Sequence, residues 1–386
     1  MHFEYYMPTR LIFGRGRLKE LSHYPFPGSK ALILITQGQS MRNLGYLGAI
    51  LKILEETGIE TAVYDRVPPN PSDAQVMEAA EFARNEKCDM LIGLGGGSAI
   101  DTAKAAAIMV NNPGTYWDYA KFGKEIMEKV LPVIAIPTTA GTGTETNQWC
   151  VISNHETKEK IAFGSPLSFP VLAVVDPELM LSVPPHLTAY QGMEAFFRAA
   201  EGYMANVAKP ISDLYALDTI RRISHFLPIA VADGTNLQAR EEMSIAATQA
   251  GIIAALSECA AEYSIDHALS AYYPQLPHGA GMVAMAIPYF SFLLEKERKK
   301  VEVRYADMAH VMGWPGEQPE EFVDALKLLI REIGMSDLHL SNWGITQQEV
   351  DLLSANSFAA MSFLYNTDSE QPLQNNAACV IRSTVN

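Results

Sequence analysis

The chain has 386 residues, 48% hydrophobic and 19% charged, with a formal net charge of −15. That balance excludes nucleic acid and an anionic membrane surface as partners, and the length passes the ~250–300 residues at which one core stops growing, so two domains are expected. Cys88, Cys150, Cys259 and Cys379 are scattered without CxxC spacing and predict reduced thiols in a cytoplasmic protein; the start MHFEYYMPTR lacks a signal-peptide pattern, and no apolar run reaches the ~18 residues of a membrane span.

Residues 31–36 (ALILIT) predict a buried strand that ends at Gln37-Gly38-Gln39-Ser40, followed by a helix to about residue 57. A strand at 60–64 leads to a helix over 71–86, opened by Pro-Ser-Asp, and then to a strand at 89–94. A helix from Ser98 to about Val110 follows, then strands at 130–136 and 172–175. Strands alternating with helices imply right-handed βαβ units and a parallel sheet. After Val183-Pro184-Pro185 the apolar spacing is helical throughout, over about 186–206, 210–232, 237–256, 260–273, 280–298, 301–312, 318–334 and 347–354. The reading is an α/β domain over 1–184 that binds a dinucleotide and an all-α domain over 185–386, with catalysis expected in the cleft between them.

Two segments carry binding chemistry. Gly95-Gly96-Gly97-Ser98 follows the 89–94 strand and opens a helix, an arrangement that brings bare amides and a helix start against a phosphate. Ser98 is expected to cap that helix, with Asp101 as its reciprocal partner. The segment is not GxGxxG, and no carboxylate follows at the usual distance, so a dinucleotide fold other than the ordinary Rossmann arrangement is implied. The second segment, PTTAGTGTETN at 137–147, places the hydroxyls of Thr138, Thr139, Thr142 and Thr144 around two glycines, suited to a diphosphate, a ribose or a carboxamide.

These segments resemble the signatures of the iron-containing (group III) alcohol dehydrogenase family. So do Pro8-Thr9-Arg10 with Phe13-Gly14-Arg15-Gly16, Asp176-Pro177-Glu178-Leu179, Gly192-Met193-Glu194-Ala195, Glu201-Gly202-Tyr203 and Pro277-His278-Gly279. The resemblance spans nearly the whole chain. It implies the dehydroquinate synthase-like fold, an NAD(P) cofactor, a small aldehyde or alcohol substrate, a homodimer, and a divalent metal, iron or zinc, that polarises the reacting oxygen.

The family's metal site is one Asp and three His. By resemblance those positions here hold Glu194, Arg198, Tyr263 and His278. One ligand is kept, one is changed conservatively and two are lost, so the expectation is no catalytic metal, or one held weakly. Arg198 admits three readings. It pairs with Glu194 four residues earlier and plugs the metal cavity, or it replaces the metal's charge at the carbonyl oxygen, or it binds the anionic group of an acidic aldehyde. His267 is placed by resemblance at the nicotinamide or substrate pocket, where a neutral imidazole, or the Tyr263 phenol, could pass a proton. Family members that prefer NAD carry an acid near Gln37. Here Gln37, Gly38, Ser40 and Arg42 include none, and Ser40 and Arg42 suit a ribose phosphate, so NADP(H) is expected over NAD(H). The rival class is a catalytically inactive, nucleotide-binding relative with a sensing or assembly role.

Overall fold

The apolar runs of the first half form the middle of a parallel sheet. In this computed structural model the strands are β1 (Arg10–Phe13), β2 (Lys30–Thr36), β3 (Glu60–Val67), β4 (Met90–Gly95), β5 (Val133–Pro137) and β8 (Leu172–Val175), in the spatial order β1-β8-β5-β4-β2-β3, every pairing parallel. β4 and β5 are buried along their whole length, which is why they read as continuous apolar runs without alternation. β5 starts at Val133, later than the sequence suggested, because Pro132 has no N–H to extend the ladder. β1 and a two-stranded sheet of β6 (Cys150–Asn154) and β7 (Glu159–Phe163) were not foreseen. The helix expected after β2 is broken into α1 (Ser40–Asn43) and α2 (Tyr46–Glu56) by Gly45 at φ +77°.

The structure describes residues 2–365 and 374–385; Met1, residues 366–373 and Asn386, which fall inside the two spans read from the sequence, lie outside the described residues. Tyr6–Glu156 and Ile161–Leu181 make one compact unit, and the rest of the described chain, from Ser182 onward and including Thr157–Lys160, makes the other. The change of unit falls at Leu181/Ser182 rather than after 184, and residues 2–5 and Thr157–Lys160 go with the helical unit. Their anchors explain this: the Lys158 carbonyl accepts from Asn356 Nδ2 at 2.9 Å, and Tyr5 hydrogen-bonds Tyr215.

In the α/β unit, Asp176 at the end of β8 accepts from the amides of Gly16 and Leu18 (3.0 Å each) and of Glu178 (3.1 Å). One carboxylate thereby joins two of the sequence motifs, Phe13–Gly16 and Asp176–Leu179. The helical unit contains α6 (Pro185–Met204), α7 (Pro210–Ala232), α8 (Leu237–Ser257), α9 (Ala261–Tyr272), α10 (His278–Lys296), α11 (Arg298–Val311), α12 (Glu320–Glu332), α13 (Val350–Met361) and a last helix, Gln374–Thr384. α8 and α9 meet at 106°, with Glu258 in the break at φ +62°. Among the described residues no single helix is long and apolar enough to cross a membrane.

Candidate active site

The chain runs from β2 outward to β3 and returns to β4 on the other side of β2, so the strand order reverses there. Ligands of open α/β sheets bind beyond the carboxyl ends of the strands at such a reversal. Three of the segments singled out in the sequence leave the sheet at those ends: 37–42 after β2, 95–98 after β4 and 138–144 after β5.

The second and third of these segments interlock. Thr138 N donates to Gly95 O at 2.9 Å. A Cβ on Gly96 would stand 3.3 Å from Thr139, and one on Gly97 would stand 2.6 Å from Thr142. Glycine is therefore needed so that the two loops can close on each other, a reason separate from room for an anion. α4 (Gly97–Met109) begins one residue earlier than expected, with Gly96 as its cap and no side-chain cap bond, so the Ser98–Asp101 capping pair does not form. Asp101 turns inward instead. It accepts from the Thr144 hydroxyl and from Val151 N (3.0 Å), and pairs with Lys104 at 3.3 Å.

Lys104, which the sequence reading passed over, is completely buried and donates to the carbonyls of Thr144 (3.0 Å), Asn147 (3.3 Å) and Trp149. Asp101, Thr138 and Thr144 are buried and hold the loop junction together; Gly96, Gly97, Ser98, Thr139 and Thr142 are half-buried and form its rim. That rim, at a helix start whose first amides lack partners in their own turn, fits a dinucleotide pyrophosphate. Gln37, Gly38, Ser40 and Arg42 are exposed. Arg42 is held by Asp65 of β3 at 2.7 Å, an acid that a reading confined to the end of β2 did not count.

In the helical unit a second set of predicted residues converges. α6 carries Glu194 and Arg198 one turn apart, and their side chains meet at 3.5 Å, both less than a tenth exposed. Arg198 also donates to the Tyr263 hydroxyl, and its guanidinium carbon lies 4.9 Å from the centre of the Tyr263 ring. α9 brings Tyr263, Asp266 and His267 to the cluster on one face. The Tyr263 ring lies 4.6 Å from that of His267 and 4.8 Å from that of His278. His278 opens α10, with Nε2 3.8 Å from Glu194 Oε1 and Nδ1 bonded to the buried carboxylate of Asp266. The pairing of Asp266 with His278 is hidden in the sequence, because the two are twelve residues apart and on different helices.

At 15% side-chain exposure His278 is more open than Arg198, Glu194 or the fully buried His267. Burial first, and the charge of Lys160 second, hold the His267 imidazole well below its usual pKa, so it is neutral at physiological pH.

A divalent ion at this set would find two ordinary donors, Glu194 and His278. It would need bonds of ~2.0–2.2 Å to Glu194 and His278 and two further good ligands. By the resemblance, the positions that supply them hold the Tyr263 phenol and the Arg198 guanidinium. Among the described residues no three His, Cys, Asp or Glu side chains are grouped to hold a metal ion.

A half-buried helix start at the reversal of a parallel sheet, in one chain with a helical unit that gathers Arg, Tyr, His and carboxylate groups, is an arrangement suited to a dinucleotide-dependent dehydrogenase. Comparison with known proteins narrows the class. Residues 8–177 match the family described as iron-containing alcohol dehydrogenase, and residues 188–380 match the C-terminal part of the Fe-containing alcohol dehydrogenase family. The NAD-dependent methanol dehydrogenase of Bacillus methanolicus is 32% identical over 92% of this chain and 93% of its own. The NADPH-dependent butanol dehydrogenase of Clostridium saccharobutylicum is 34% identical over 90% of this chain and 89% of its own. An archaeal halo-thermophilic alcohol dehydrogenase from a Red Sea brine pool superposes with a TM-score of 0.93 at 31% identity, covering 100% of this chain and 99% of that one. The chain belongs to the iron-containing alcohol dehydrogenase family.

Proposed function

We propose that this protein is an NAD(P)-dependent alcohol dehydrogenase, acting in the reverse direction as an aldehyde reductase on a small carbonyl compound, and that it works without a catalytic metal. The observation that carries the reading is the half-open start of α4 at Gly96, Gly97 and Ser98, rimmed by Thr139 and Thr142 and locked from beneath by Lys104 and Asp101. Bound nicotinamide supplies or accepts the hydride. The chain's own part is to hold the pyrophosphate on amides and hydroxyls, and to offer Arg198, Tyr263, His267 and His278 to the carbonyl end of the substrate.

NADP(H) is the proposed partner because no acid follows β2 and Arg42 carries a charge suited to a ribose phosphate; Asp65 competes for that charge. A cytoplasmic homodimer completes the proposal. The test is titration with NADPH and with NADH, followed by nucleotide turnover against a panel of small aldehydes with and without added iron, zinc or manganese. Tighter NADPH binding and turnover without added metal are expected. Absence of a complex with either nucleotide would overturn the assignment, and tight binding with no turnover would select the inactive, nucleotide-binding class.

A further inference from the structure

We infer that the Arg198 guanidinium is the electrophile of this enzyme, donating N–H groups to the substrate oxygen and stabilising the negative charge that develops there. The inference rests on the dehydrogenase reading above.

Three observations decide between the roles open to Arg198. The first concerns cost. The side chain is 6% exposed, and a buried ion is expensive, whereas an apolar side chain of similar volume fills a cavity at no such penalty. A plug made of the Arg198–Glu194 pair desolvates two ions, where two apolar side chains of similar volume would desolvate none. The second concerns counter-charge. Glu194 already lies 3.5 Å from the guanidinium, so a carboxylate or sulfonate brought to Arg198 would meet a carboxylate on arrival. A neutral carbonyl, which gains charge only as it reacts, meets far less repulsion. The third concerns rigidity. Glu194 on its own helix and Tyr263 on α9, through its hydroxyl and its ring, hold the guanidinium from two elements. Donors fixed before the reaction need no reorganisation as charge develops.

In the reducing direction the carbonyl carbon gains a hydride from the reduced nicotinamide. The C=O π pair moves onto oxygen, where Arg198 donates, and that oxygen takes up one proton (H+) drawn from the buffered solvent, so that aldehyde, NAD(P)H and H+ give alcohol and NAD(P)+. The aldehyde is reduced and NAD(P)H is oxidised; alcohol oxidation is the reverse. The positive charge at the reacting oxygen thus belongs to a side chain.

The experiment uses the full chain purified without chelator, with NADPH and propanal as probes. Metal content per chain, kcat before and after dialysis against a chelator, and kinetics of R198M, R198Q and R198K are measured. Expected are metal far below one equivalent, kcat unchanged by chelator, and a kcat about a hundredfold or more lower in R198M and R198Q with NADPH affinity unchanged. R198K, which keeps a charge without the planar fork, should fall between them and wild type. The triple variant E194D/R198H/Y263H should acquire zinc toward one equivalent. Near-stoichiometric metal in wild type with chelator-sensitive turnover overturns the inference and leaves the dehydrogenase reading standing. So does an uncharged variant that matches wild-type kcat. Wild type that binds NADPH but reduces no aldehyde overturns both.

Discussion

Single atoms decide several features of the two sites. Gly279 follows His278, and a Cβ there would lie 2.1 Å from the backbone carbonyl oxygen of Tyr190. Glycine is what lets the first turn of α10 rest on α6 and keeps the His278 imidazole against Asp266. G279A must push that turn away, so a loss of ~1–3 kcal/mol and a lower kcat are expected, read from urea midpoints and steady-state rates; unchanged values of both would refute the packing argument. Lys104 makes the same case in the α/β unit. In K104M the Asp101 carboxylate stays buried without its cation, a loss on the order of 3–5 kcal/mol, and nucleotide binding should weaken as the Thr142 loop loosens. In the exposed segment proposed to meet the cofactor, Asp65→Asn releases Arg42. NADPH should then gain affinity relative to NADH, and equal effects on the two nucleotides would show that Arg42 does not face the ribose.

Helix pairing adds contacts that can be titrated. Asp218 on α7 accepts from Gln249 of α8 (2.8 Å) and from Arg222 and Arg221 (2.6 Å each), while Arg222 also reaches Glu242 of α8. Partial burial pushes the Asp218 carboxyl up, but the hydrogen bonds from Gln249, Arg222 and Arg221 outweigh it and hold its pKa down to about 2. A folded pKa below the unfolded one gives stability that is present above about pH 4 and is lost as pH falls toward 2. The gap in urea midpoint between wild type and D218N should therefore be widest near neutrality and close over that window; a constant gap would show that the carboxylate's charge plays no part. The same scale shows what the sequence could disclose. Long helices and buried strands were legible because each needs only its own apolar period. β1 was not: its four residues become a strand only because β8 pairs with them from 162 residues away and Asp176 fixes the turn that follows. In the site, Glu194 with Arg198 and Tyr263 with His267 were visible as one-turn spacings. Asp266 with His278, Asp65 with Arg42 and Lys104 with the Thr144–Trp149 loop join different elements, and no local pattern records such pairs.

The whole molecule acts on its nucleotide through charge before any contact forms. A net charge of −15 repels a dinucleotide phosphate, and that repulsion extends over ~30 Å at 0.01 M salt but only ~8 Å at 0.15 M. The attraction proposed for the first amides of α4 and for Arg42 would act at contact, where salt screens it much less. Adding salt therefore removes more of the opposing force than of the favourable one. The association rate of NADPH, followed by stopped-flow fluorescence, should rise between those two salt concentrations, and the rise should exceed that for NADH, which carries less charge. A rate that falls with salt would mean that cations around the cradle govern the approach, and would place more positive charge at the binding loops than Arg42 alone provides.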